Sequence, residues 1–262
     1  MSYTKSDVPR SSVIHDRVVH INMIGDCELL YILGSIGAGK TSLTDLLSKD
    51  LGSASYYEDI SGNNMIGSML EKFYAAGKDS RKRNGAMLQV AFLVFRYAQL
   101  KKAMVQDNAI LDSSLESDFI MAKQLHDHGE IDDVDYNIYV TLSQEMQSNV
   151  NGMPWNGYPD LAIYLKIDPE KEVEEIQSRG RGMEDIRKDP ELVDYYHRVN
   201  KAYREWSKGY TRGLMLTIDR DKYDFVNNKE DRNAVLDKIE SKLVELGKLS
   251  PERFAEIKAK RA

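Results

Sequence analysis

One eight-residue stretch narrows the folds open to this chain more than anything else in it. Gly34-Ser35-Ile36-Gly37-Ala38-Gly39-Lys40-Thr41 fills the whole G-x-x-x-x-G-K-[ST] pattern. It follows an apolar run, Leu29–Leu33, and precedes an amphipathic segment, so it reads strand, loop, helix. The glycines let backbone N–H groups curl around phosphate oxygens without side-chain clashes. The helix that follows aims its positive end at the same charge. All eight residues are expected to cradle nucleotide phosphates, with Lys40 reaching the β- and γ-phosphates and the Thr41 hydroxyl able to ligate magnesium.

The rest of the chain supplies a sheet for such a loop. Strand-length apolar bursts are expected at Leu29–Leu33, Ser55–Tyr57, Ala109–Asp112, Leu161–Ile167 and Leu214–Ile218. Helical periodicity lies between them, at Ser42–Lys49, Asn64–Ala76, Arg81–Gln106, Leu115–His128 and Asp132–Asn149, then Pro169–Gln177, Pro190–Gly209 and Glu230–Gly247. Alternation of this kind predicts an α/β fold, a parallel sheet wrapped by helices. A chain of 262 residues can bury one large core without splitting. Residues 1–25 read as an extension in which Val18–Ile24 could add an edge strand, and 26–262 as the main domain. Asn151–Pro159 is the clearest loop, and the basic tail Lys258–Arg261 a solvated helix end.

Composition excludes several classes. A net charge of −6 argues against a nucleic-acid surface. A lone cysteine, Cys27, cannot form an internal disulfide and suits a reducing compartment. No apolar run is long enough to span a bilayer, and the N-terminus lacks the apolar core of a signal peptide. A cytoplasmic protein with no membrane partner is the expectation.

A phosphate loop does not by itself separate a kinase from a GTPase, a motor or a sensor. Glu58 follows the short second strand, whose end comes close to the loop in a doubly wound sheet. A carboxylate there could accept a proton from an attacking hydroxyl, though alone it reads as an ordinary surface residue. Gln89 and Arg96, seven apart, share one helix face.

Several motifs in order make the chain resemble the deoxynucleoside kinases, the bacterial deoxyadenosine and deoxyguanosine kinases above all. They run from GSIGAGKTSLT through YYED, Asn63-Asn64, Phe73-Tyr74, Leu88-Gln89 and Arg96. LDSSLESDFIMAKQL, PDLAIYLKID, SRGRGMED and LTIDRDKYDFV complete them. The resemblance covers roughly Leu29 to Leu249. It implies a three-layer P-loop kinase with about five strands and transfer of the γ-phosphoryl of ATP to the 5′-hydroxyl of a purine deoxynucleoside, deoxyadenosine or deoxyguanosine. Glu58 would be the general base, with Lys40 and Arg181 beside it as catalytic residues. Tyr74 and Glu184 would hold the 3′-hydroxyl, and Gln89, Met121 and an Arg96–Asp118 pair would face the base. That pair accompanies purine or cytosine substrates, and thymidine is expected to be excluded. Mg²⁺ would be held by Thr41 and, directly or through water, Asp112. Arg179 and Arg181 belong to a lid near 178–188, and Asp224-Phe225-Val226 to the loop beside the donor adenine. A homodimer built through Arg81–Gln106 and Asp132–Asn149 is implied as well.

The sequence departs from the family at Asp112-Ser113-Ser114, where an arginine normally occupies the middle position. Either another cation reaches the vacated space, Arg179 and Arg181 being the expected substitutes as the lid closes over it, or turnover is slow. Met121 cannot stack on a base as the usual phenylalanine does, and no proline follows the glutamate of YED. Two rivals stand beside this reading. A nucleoside monophosphate kinase would need more positive charge at the acceptor. A weakly active nucleotide-binding regulatory subunit fits Ser113 but not the intact Lys40, Glu58, Arg181 and Glu184.

Overall fold

The computed structural model describes residues 28–58, 60, 64–151 and 158–261. Strands β1 (Glu28–Gly34), β2 (Ala54–Tyr56), β3 (Asn108–Asp112), β4 (Leu161–Lys166) and β5 (Met215–Asp219) form one sheet in the order β2-β3-β1-β4-β5. Every neighbouring pair is parallel. The helices among the described residues are α1 (Lys40–Leu51), α2 (Met65–Tyr74), α3 (Gly77–Ala103), α4 (Leu115–Asp127), α5 (Asp133–Asn151), α6 (Pro169–Ser178), α7 (Glu191–Lys208), α8 (Lys229–Glu245) and α9 (Pro251–Arg261).

Both faces of the sheet are covered, which explains why β1 reads as an unbroken apolar run. Its alternate residues serve opposite cores. Leu30 and Ile32 pack with Leu43 and Leu47 of α1 and Val235, Ile239 and Leu243 of α8. Leu29, Tyr31 and Leu33 pack with Leu93 and Leu100 of α3 and Tyr139 of α5. All five expected strands exist, with ends moved by a residue or so. β4 stops before Ile167 because the next helix starts at once. Asp168 Oδ1 caps it by accepting from Glu170 N at 3.0 Å, and Pro169 sits in its first turn.

The C-terminus differs from expectation. Instead of ending in a solvated tail, α9 folds back, and Arg261 donates to Asp50 (2.9 Å), Asp237 (2.7 Å) and Glu240 (3.1 Å). Glu240 is fully buried, so it needs that cation. The expected extension 1–25, Asn63 and most of the Asn151–Pro159 loop lie outside the described residues. No helix among the described residues is long and apolar enough to cross a membrane.

Candidate active site

The chain crosses from one side of β1 to the other after β3, and the strands' carboxyl ends open there into a cleft. Its volume is about 470 Å³, ordinary for a small-molecule site. β1 delivers the phosphate loop, β2 delivers Glu58 and β3 delivers Asp112.

Gly37 (φ 88°) and Gly39 (φ 92°) take the left-handed conformation that the loop's curl requires. Behind Gly39 an added Cβ would come within 3.1 Å of the Phe225 ring. Lys40 Nζ donates to the carbonyls of Gly34 (3.0 Å) and Ser35 (2.9 Å). Burial lowers its pKa, opposed by the charges of Asp112 and Glu58. Thr41 Oγ1 donates to Asp112 Oδ2 at 2.5 Å. The other oxygen, Asp112 Oδ1, is buried with no hydrogen-bond partner, and burial raises this carboxyl's pKa.

Arg96 organises the acceptor end. Its Nη2 donates to Glu58 at 3.0 Å, its Nε to Asp118 at 3.1 Å and its Nη1 to the Asp112 carbonyl at 2.9 Å. The expected Arg96–Asp118 pair is therefore formed, and it includes Glu58. Gln99 Nε2 pins the end of β2 by donating to Tyr57 O at 2.6 Å. Gln89 lies on the Arg96 face of α3, fully buried, with its Oε1 unbonded. Asp118 Oδ2 is buried and unbonded too. Met121 lines the same cleft.

Tyr74 at the end of α2 and Glu184 on the short 3₁₀ turn Gly182–Glu184 close the side of the cleft. Glu184 receives a long bond from Arg181 Nη1 (3.4 Å), while its buried Oε2 has no partner. The Tyr74 hydroxyl hydrogen-bonds Tyr195, a residue that sequence reasoning missed. Arg179 faces the cleft with its pKa lowered by burial and by Arg181.

Asp224 and Phe225 do not line the cleft; Val226 does. Phe225 is fully buried under the loop, with the Arg220 guanidinium 4.5 Å from its ring centroid. Asp224 turns instead to Asn227 Nδ2 at 3.1 Å. Arg220 was also missed. It lines the cleft and donates to Ala38 O at 3.0 Å and Glu175 Oε1 at 3.2 Å, bracing the phosphate loop. In the sequence it lies inside the LTIDRDKYDFV stretch, where nothing local says that it reaches back to the loop.

The family model for deoxynucleoside kinases matches residues 30–245, which hold every strand but β1's first two residues and all the cleft residues named above. The chain belongs to the deoxynucleoside kinase family. It is 36% identical over 220 residues to a deoxyguanosine kinase of Lactobacillus johnsonii, covering 84% of this chain and 94% of the relative. It is 35% identical over 222 residues to a deoxyadenosine kinase of Lactobacillus acidophilus, covering 85% and 99%. Among solved structures it superimposes with TM-score 0.63 and 25% identity on a deoxyadenosine kinase from M. mycoides holding dCMP and a flexible dCDP, covering 81% and 99%. As a deoxynucleoside kinase it is an ATP-dependent phosphotransferase.

At the departure from the family at Ser113, Arg179 and Arg181 both line the cleft. The cation that reaches Glu58 is Arg96, whereas Arg181 turns to Glu184. Ser113 is buried, and its N–H donates to Ile32 O at 3.0 Å. It adopts φ 92°, alone in this respect among the described non-glycine residues.

Proposed function

We propose that this kinase phosphorylates the 5′-hydroxyl of a purine deoxynucleoside, with Glu58 as general base. The observation that carries the base preference is the pair of unbonded buried acceptors, Asp118 Oδ2 and Gln89 Oε1, in one cleft. Buried acceptors favour a ligand that presents N–H donors. Adenine, guanine and cytosine each carry an exocyclic amino group, whereas thymine has none and offers only its ring N–H. The two acceptors therefore disfavour thymine, and the choice of a purine among the amino bases follows the relatives. The names of the relatives, deoxyguanosine and deoxyadenosine kinase, agree with this.

In this reading the 5′-hydroxyl proton passes to Glu58 as the oxygen attacks the γ-phosphorus. Arg96 fixes Glu58 in place, and Lys40, Arg179 and Arg181 face the charge on the transferring phosphoryl. The unbonded Glu184 Oε2 accepts from the 3′-hydroxyl, with Tyr74 beside it. Mg²⁺ suits Thr41 and Asp112, since Asp112 Oδ1 is a buried hard oxygen donor without a protein partner. When bound it would neutralise phosphate charge. Met87 and Val94 on α3 and Val134 and Ile138 on α5 are exposed apolar side chains, which supports a homodimer across those helices. We place the enzyme in cytoplasmic nucleotide salvage.

A coupled ADP-release assay over the deoxynucleosides and their monophosphates tests the reading. Deoxyadenosine or deoxyguanosine should give the highest kcat/KM, and a preference for monophosphates or for thymidine would overturn it.

A further inference from the structure

Behind the phosphate loop lies an acid that takes no part in the steps above. Glu172, in the first turn of α6, is fully buried and does not line the cleft. Its Oε2 accepts from the Ser35 hydroxyl of the loop and from Asn200 Nδ2 of α7, and its Oε1 is buried without a partner. α6 also backs the loop at Gly37, where an added Cβ would come within 2.9 Å of Ile176 and 3.3 Å of the Glu172 carbonyl. The loop thus rests on α6 at two points. The charged and titratable groups in the field of Glu172 are Lys40 at the head of α1, Arg179 at the end of α6 and Tyr164 on β4. From α7 the neutral Asn200 faces it, and Arg204 donates beside Asn200 to the Ile167 carbonyl.

Lys40 and Arg179 therefore serve a carboxylate behind the loop and face the cleft in front of it. A triphosphate in the loop draws both cations forward and adds negative charge across a few ångströms of low-dielectric protein. An ionised Glu172 then loses its compensation. We propose that Glu172 is a positioning residue of the phosphate loop that takes up one proton from solvent as the donor triphosphate binds, so that its charge tunes donor affinity and leaves deoxynucleoside affinity alone. This rests on the reading that donor phosphates occupy Gly34–Thr41. Burial already pushes this carboxyl up to about 7, so the proton is taken up at little cost near neutral pH. An acceptor for it is at hand, since Asn200 Oδ1 is buried and unbonded.

Calorimetric titration of the wild-type kinase with Mg-ATP at about pH 8, in two buffers of different ionisation enthalpy, counts the protons taken up. The count should approach one, and it should vanish in Glu172→Gln. KM for ATP should rise up to about tenfold per pH unit above neutrality in the wild type and much less in Glu172→Gln, with KM for the deoxynucleoside unmoved in both. Glu172→Asp should restore part of the proton uptake. No proton uptake by the wild type overturns the inference whatever the variants do, as does uptake that persists unchanged in a folded Glu172→Gln. A wild type that binds no Mg-ATP, or a Lys40→Ala variant that binds it as tightly, would instead overturn the placement of the donor.

Discussion

Arg96 holds the carboxylate of Glu58 at 3.0 Å while the rest of its guanidinium is bonded to Asp118 and to the Asp112 carbonyl. One planar fork thereby links the end of β2, the end of β3 and α4, and it fixes the proposed base relative to the pocket that would read the nucleobase. Lysine could not do the same, because its single ammonium lacks the fork geometry.

Glu58→Gln should keep ATP binding and lose most turnover. The amide preserves the shape and its carbonyl can still accept from Arg96, but the proton acceptor is gone. General bases typically contribute about 10²–10⁴-fold. Turnover within about threefold of wild type on the best substrate would show that the base is another group.

Thymidine should be a poor substrate because of Asp118. A site whose buried groups go unpaired with the wrong ligand rejects it strongly, often by orders of magnitude. Asp118→Asn supplies a donor that a thymine carbonyl can use, so the ratio of kcat/KM for deoxyadenosine over thymidine should fall. Equal efficiency on both bases in the wild type would defeat the assignment.

Ser113→Arg should not raise turnover. Glu58 already has its guanidinium, and Ser113 is buried, so a side chain as long as arginine would have to displace its neighbours. Ser113→Gly, by contrast, relieves the left-handed backbone conformation there and should be neutral or slightly stabilising, by up to about 1 kcal/mol. A gain of about tenfold or more in kcat from Ser113→Arg would mean that Arg96 does not compensate.

How much of this could be read beforehand depends on the range of the interaction. The phosphate loop, the five strands and the Gln89–Arg96 face are local patterns, and the sequence carries them as spacing. Arg96 reaching Glu58 is a contact across 38 positions, and Arg220 reaching Ala38 one across 182. No periodicity encodes either, because the fold alone brings the partners together. The lid arginines are the expected substitutes near Ser113 because the lid should close over that region. What that motif could not show is that the length of α3 carries Arg96 alongside the ends of two strands, where it bonds Glu58 and the Asp112 carbonyl. Phe225 was expected at the donor base on the same kind of motif reasoning, but an apolar ring beside a glycine turn packs under the loop and leaves the cleft to Val226.

Tyr195→Phe should weaken deoxynucleoside binding without touching ATP. Tyr195 hydrogen-bonds the Tyr74 hydroxyl, and the guanidinium groups of Arg81 and Arg198 each lie 5.7 Å from its ring centroid. Both arginines bond the same oxygen of the buried Glu130, at 3.3 and 3.1 Å, so they reach the ring from one side and brace it there. Removing one neutral hydrogen bond is worth about 0.5–1.5 kcal/mol, which corresponds to a KM change of roughly 2- to 12-fold. An effect of that size on KM for ATP instead would assign Tyr195 to the donor side.

Stability should fall as pH rises from about 5 to 8. Burial raises the carboxyls of Glu172 and Glu240 from 4.5 to about 7. Between those values the folded state holds protons that the unfolded chain has released. The stabilisation is therefore complete below about 4.5 and lost as pH rises through about 7. Each group can contribute at most about 1.4 kcal/mol per pH unit within that window, and in a protein of this size each kcal/mol moves the thermal midpoint by about 2–4 °C. Glu240→Gln isolates one contribution away from the cleft, since Arg261 keeps Asp50 and Asp237 as partners. Thermal denaturation across the range should show a shallower decline in that variant than in the wild type. Parallel profiles would mean that Glu240 stays ionised in the fold, held by Arg261 against the effect of burial.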